Sequence, residues 1–156
     1  MSSKYKTQKE TGSVGDAVSS GFGELESLRD EVQEIVNNAS GTGLENTSRI
    51  QTFEETASSL DGVDSEPDVP AILEGTQVGY IVMVSRRGTS RAVRCSNAVS
   101  ALQAAVDAAN DFLEVERGKP EAERRDELID EVEEFSNSVQ EVIDNAEGAE
   151  FPGMFG

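Results

Sequence analysis

The stretch that decides the fold is Asp126–Glu147, which reads DELIDEVEEFSNSVQEVIDNAE. Its apolar residues recur at intervals of three and four, which is the spacing of one face of an α-helix. They are Leu128, Val132, Phe135, Val139, Val142 and Ala146. Ile129 and Ile143 widen this apolar stripe beyond a coiled-coil seam, so the pattern favours a globular bundle. We expect the segment to begin at Pro120, a favourable first helical position.

Three further stretches carry the same spacing. It predicts a first helix over about residues 13–38, a shorter one over 47–60, and a long one from Ser90 or Ser96 to Val115. The third contains many alanines, and small side chains on several faces indicate close contact with more than one neighbour. Whether residues 90–95 begin this helix or form a return strand stays open from the sequence.

One segment differs in character from the helices. Residues 78–85 read VGYIVMVS, with five large apolar residues and many β-branched ones, which predicts a buried strand near 78–86. A proline-containing linker and one short turn at 71–74 precede it. A lone strand leaves backbone groups unpaired. We therefore expect it to pair with residues 90–95, with a partner protein or, as the preferred hypothesis, with the same strand of a second subunit in a homo-oligomer.

The predicted fold class is mostly α: a bundle of about four helices with one β-strand or small hairpin in the middle of the chain. The 156 residues divide into a flexible N-terminal arm over 1–12, a single helical domain over 13–148, and an apolar C-terminal tail over 149–156.

Composition argues against catalysis. The chain has no histidine, which removes the usual general base near neutral pH and the commonest metal ligand. Cys95 is the only cysteine, so an intramolecular disulfide and a thiolate metal cluster are excluded. The acids of 61–68 do not follow the spacing of a calcium-binding loop. We expect no enzyme activity, no cofactor and no metal.

The charge restricts the partners and the location. Thirty-one acids against 13 bases give a net charge of −18, so direct nucleic acid binding is not expected. No apolar run approaches the roughly 18 residues of a membrane span, and no signal-peptide pattern opens the chain. We expect the host cytoplasm or a virion, neither secretion nor a membrane. Adaptation to high salt is an alternative reason for the acidity.

The acids of 126–147 concentrate on the outer face of the predicted helix. They are Asp126, Glu127, Asp130, Glu133, Glu134, Glu141, Asp144 and Glu147, and no base interrupts them. With Glu131, the nine acids along about 33 Å of helix give roughly one charge per 3.7 Å. Duplex DNA carries about one per 1.7 Å. The face is either an ordinary solvated surface or a DNA mimic.

Four arginines cluster around the predicted start of the alanine-rich helix: Arg86, Arg87, Arg91 and Arg94. With helix N-terminal amides they are suited to bind an anion or a partner protein. The alternative is that they neutralise the acidic helices of their own fold.

The apolar tail carries Phe151, Met154 and Phe155. We expect it either to pack back onto the bundle or to dock into another protein.

The run 85–105, SRRGTSRAVRCSNAVSALQAA, preceded by the EPDVP linker at 66–70, resembles small uncharacterised accessory proteins of tailed viruses (bacteriophages). The resemblance implies a viral accessory or virion-associated role and no catalytic residues. Our functional hypothesis is a non-catalytic, acidic protein–protein interaction or assembly module. The alternative is an acidic DNA-mimic inhibitor of a nucleic-acid-binding host or defence protein.

Overall fold

The structure is a computed structural model that describes residues 5–44, 46–64 and 66–152. The elements, in chain order, are β1 (Lys6–Ser13), α1 (Val14–Ala39), α2 (Ser48–Ser59), a 3-10 turn (Asp61–Asp64), α3 (Ala71–Glu74), β2 (Gln77–Val84), α4 (Arg91–Arg117) and α5 (Asp126–Glu147). The predicted class, a mostly α bundle with one β-strand or small hairpin, is confirmed, and the strand in the middle of the chain pairs with the N-terminal segment.

α4 is the central element of the bundle, because it packs against α1, α5 and β2. Its alanines allow this: Ala98, Ala101 and Ala105 are buried. The approach to α1 is closest at Gly21, where an added Cβ would lie 2.6 Å from Leu102 Cγ. The prediction that the alanine-rich helix contacts several neighbours is confirmed.

Side-chain caps fix where two of the long helices begin. The Ser13 hydroxyl accepts from Asp16 N, and the Asp16 carboxylate accepts from Ser13 N, which closes a capping box at α1. Ser90 caps α4 by accepting from Val93 N at 3.3 Å. Residues 91–95 are therefore helical, and the alternative of a return strand over 90–95 is wrong.

The partner of β2 is the N-terminal segment of the same chain. β1 pairs with β2 antiparallel, from Lys6 opposite Val84 to Ser13 opposite Gln77. The prediction of a flexible arm is thus wrong for residues 6–12, and residues 1–4 lie outside the described part of the chain. The polar sequence of β1 carries no apolar alternation, so it gives no strand signal of its own. Because β2 has a partner strand in its own chain, it does not need a second subunit for pairing. A homo-oligomer stays a prediction.

The other edge of β2 is held by a side chain of α4. Met83 N donates to Asn97 Oδ1 at 2.9 Å, and Asn97 Nδ2 donates to Met83 O at 2.9 Å. Because both main-chain groups of Met83 bond to Asn97, they face away from β1. The amide of Asn97 therefore takes the place that a third strand would occupy at this residue.

α5 begins at Asp126 and not at Pro120. Residues after Pro120 form a turn in which Glu123 N and Arg124 N donate to Pro120 O at 2.9 and 3.1 Å. The main-chain N of Arg125 donates to the carboxylate of Glu116 at 3.0 Å. This side-chain contact, which the sequence pattern does not reveal, separates the turn from the helix.

The apolar interior has two parts. The larger lies between α1, α4 and α5, and the smaller lies between α1 and α2 around Val32, Ile50 and Phe53. Phe151, beyond the end of α5, packs against both parts.

Candidate functional site

The outer face of α5 is a continuous carboxylate surface. Its eight predicted acids are all exposed, whereas Val132, Val139 and Ile143 on the opposite face are fully buried. The exposed acids are Asp126, Glu127, Asp130, Glu133, Glu134, Glu141, Asp144 and Glu147. Since packing of the apolar stripe fixes the rotation of the helix, it also fixes the outward direction of these acids.

Few cations of the chain reach this surface. Arg117 Nη2 lies 2.7 Å from Glu133 Oε2, and Arg124 Nε lies 3.1 Å from Asp126 Oδ1. Within residues 5–44, 46–64 and 66–152, the other six acids of the set have no ion-pair partner. The face therefore keeps most of its negative charge.

Four of these acids form a stripe along the helix. Asp130, Glu133, Glu134 and Glu141, with Asn137 and Ser138 between them, line one shallow depression. Their spacing places them on successive turns of one side of the helix. Asp107 of α4 lines a neighbouring groove together with Glu147. The carboxylate surface thus extends from α5 onto α4.

The predicted arginine cluster separates into two pairs with different surroundings. Arg94 contacts both Glu24 and Glu31 of α1, with Nη2 2.7 Å from Glu31 Oε2. Arg91 Nε lies 3.2 Å from Glu31 Oε1. The hydrogen bond that Arg94 donates to Glu31 lowers the pKa of the Glu31 carboxyl and raises the pKa of the Arg94 guanidinium. This pair is the arrangement expected if the arginines neutralise an acidic helix of their own fold.

Arg86 and Arg87 lie in the turn after β2 and are exposed. Gly88, with φ of +94°, and the bond from Gly88 N to Ser85 O form this turn. Neither arginine has a carboxylate within ion-pair distance among the residues that the structure describes. Only this half of the predicted cluster is open to an external anion or partner.

Residues 149–152, the described part of the tail, pack back onto the bundle. Glu150 N donates to the Thr56 hydroxyl at 3.2 Å, and the same hydroxyl donates to Glu150 O. Phe151 is half-buried against both apolar regions. Met154 and Phe155, the other predicted tail residues, lie outside the described residues.

A buried carboxylate that sequence reasoning missed lies at the other end of the molecule. Glu116 is 1% exposed. Its carboxylate accepts from Arg125 Nε at 2.8 Å and Nη2 at 3.1 Å, and Lys119 Nζ lies 2.8 Å away. Bonds from Arg125 and then Lys119 hold the pKa of Glu116 far below its ordinary value. The available signal was position: Glu116 continues the apolar stripe through Leu113.

Cys95 is buried, and burial raises the pKa of its thiol to about 11. Because a thiol with a raised pKa stays protonated at neutral pH, Cys95 is a poor nucleophile there. Its Sγ lies 3.5 Å from Ala146 O. Among the described residues no group of three or more acids or cysteines is placed to hold a metal ion. No helix in that same part of the chain is long and apolar enough to cross a membrane.

Comparisons with protein-family models, with curated proteins and with solved structures found no match to this chain.

Proposed function

We propose that this protein is a non-catalytic binding module that presents the carboxylate face of α5 to a basic surface of a partner protein. The observation that carries the proposal is the contrast between two acidic helices. Glu24 and Glu31 of α1 are neutralised by arginines of α4, whereas six of the eight acids on the outer face of α5 have no ion-pair partner in the described chain. An uncompensated face of this kind attracts a cationic surface.

The other expected contacts contribute less to the proposal. β2 already pairs with β1, and Arg91 and Arg94 already pair with α1. Phe151 already packs on the bundle. The acidic face and the turn at Arg86 and Arg87 remain as open polar surfaces, and the face is much the larger of the two. The proposed setting is that of a tailed-virus accessory or virion-associated protein.

A more specific candidate is a DNA mimic, in which the partner is a nucleic-acid-binding protein. The length and charge of α5 favour it, since nine acids occupy one 22-residue helix of about 33 Å. Asp107 of α4 is exposed and lines a groove together with Glu147 of α5, so a second helix adds charge at one end of the face. Charge from two helices approaches the charge density of duplex DNA better than charge from one.

The test is affinity capture from a host lysate with two variants of equal net charge. The face variant carries Asp130→Asn, Glu134→Gln, Glu141→Gln and Asp144→Asn. The control variant carries four exposed substitutions elsewhere on the chain: Glu26→Gln, Glu34→Gln, Glu54→Gln and Glu55→Gln. Because both variants lose four charges, a difference between them reports the location of the charge and not its total.

We expect the wild-type protein and the control variant to capture the same partner, and the face variant to lose it. Elution of that partner by duplex DNA supports the DNA-mimic candidate, and retention in the presence of DNA favours a general protein contact. Equal capture by the two variants would exclude the face as the binding surface.

A further inference from the structure

The segment Ala149–Pro152, which we call the strap, is held to the bundle by very few groups. One hydroxyl, that of Thr56, accepts from the N–H of Glu150 and donates to its C=O. Thr56 is 2% exposed and lies in α2, 94 positions earlier in the chain. Both main-chain groups of Glu150 thus depend on a single side chain.

The strap contacts both apolar regions of the interior. α2 packs mainly on α1. Phe151 contacts the small apolar region beside α2 and the large one between α4 and α5. It is nevertheless only half-buried, so little apolar area opposes its release.

The strap also forms one wall of a pocket. A cavity of about 480 Å³ lies between the first turns of α4 and the end of α5. Cys95, Val99 and Ala146 line its inner side, and Glu150 and Phe151 line its strap side. Cys95 is only 6% exposed while the strap is in place.

We propose that the strap is a detachable latch over this pocket. Breaking the two bonds between Thr56 and Glu150 frees Phe151 and uncovers Cys95, while the helical bundle stays folded. Segments held by few contacts open locally at a lower free energy than the whole domain unfolds. This inference is independent of the binding proposed for the α5 face.

Cys95 is the only thiol of the chain, so its alkylation rate reports the opening directly. The test compares three full-length proteins: wild type, Thr56→Val, which keeps the shape but removes both bonds, and Thr56→Ser, which keeps the hydroxyl. We expect Thr56→Val to be alkylated about tenfold faster than wild type, and Thr56→Ser within about twofold of it. Phe151→Ala, at a half-exposed site, is the second variant and is also expected to be alkylated faster.

The urea dependence of the wild-type rate separates local from global opening. A local opening exposes little surface, so the logarithm of the alkylation rate rises with a much smaller slope than that of global unfolding measured by circular dichroism. A slope equal to the global one overturns the proposal. Equal rates in wild type, Thr56→Val and Phe151→Ala also overturn it, as does immediate alkylation of the wild-type protein.

Discussion

Two glycines of α1, two positions apart, are expected to respond in opposite directions to the same substitution. A Cβ at Gly21 would lie 2.6 Å from both Cγ and Cδ2 of Leu102, and 3.1 Å from the carbonyl oxygen of Ala98. At Gly23 no heavy atom lies within 4 Å of the added Cβ. Alanine favours the helix over glycine by about 1 kcal/mol at either position. Only at Gly21 does packing oppose this gain.

The packing cost at Gly21 follows from the distances. Carbon atoms pack best at about 3.5–4.0 Å, so α1 or Leu102 must move by about 1 Å. Leu102 is fully buried, and its Cγ is not the free end of a flexible chain. Overpacking of a buried site costs about 1–3 kcal/mol. With the upper end of that range at this site, Gly21→Ala is destabilised by about 2 kcal/mol, and Gly23→Ala is stabilised by about 0.5–1 kcal/mol.

The assay is thermal and urea unfolding followed by far-ultraviolet circular dichroism. For a domain of this size, we expect the melting temperature to fall by about 4–8 °C in Gly21→Ala and to rise by about 1–4 °C in Gly23→Ala. Leu102→Ala removes the atoms that clash, so its cost and that of Gly21→Ala should combine less than additively. If Gly21→Ala stabilises the protein as Gly23→Ala does, α1 and α4 do not approach as closely as the structure shows.

Three further predictions concern contacts that the sequence pattern did not reveal. Deletion of residues 1–12 removes all of β1 except Ser13, and we expect the melting temperature to fall by more than about 5 °C. Removal of a flexible arm would leave the melting temperature unchanged. Asn97→Ala leaves the main-chain groups of Met83 unpaired. The free energy of unfolding in urea should therefore fall by about 1–2 kcal/mol, and amide exchange at Met83 should be faster. Unchanged exchange would contradict the contact between Asn97 and the edge of β2. The pKa of Glu116 is lowered from its ordinary 4.5, so its contribution to stability is complete above about pH 4.5 and is lost as the pH falls towards the lowered pKa. We therefore expect urea unfolding at pH 7 to show that Glu116→Gln is less stable than wild type. Between pH 7 and pH 3, Glu116→Gln should lose less stability than the exposed control Glu114→Gln. Identical pH profiles of the two variants would contradict the buried ion pair.

The helices were predictable because long amphipathic segments carry their fold signal locally. The three-and-four spacing located α1 and α2 to within about two residues, and the short turn expected at 71–74 after the proline-containing linker is α3. The same spacing assigned the outward direction of the α5 acids, because a helix with one buried stripe has one solvent face.

The missed features depend on contacts between distant residues. β1 is polar along its length and forms only because β2 needs a partner, so no local pattern marks it. The turn before α5 depends on Glu116 reaching Arg125. The neutralisation of Arg91 and Arg94 depends on α1 presenting two acids seven positions apart, Glu24 and Glu31, on one face. Each of these contacts requires knowing which helices are neighbours.

The proposal that the carboxylate face of α5 binds the partner is tested most directly by the salt dependence of the affinity for the captured partner. Titration calorimetry between about 50 and 500 mM salt, with wild type, face variant and control variant, gives the slope of log Kd against log salt for each. We expect steep, similar slopes for wild type and control, and weaker binding with a shallower slope for the face variant. Equal affinities and slopes for the two variants would show that the partner does not bind the carboxylates of α5.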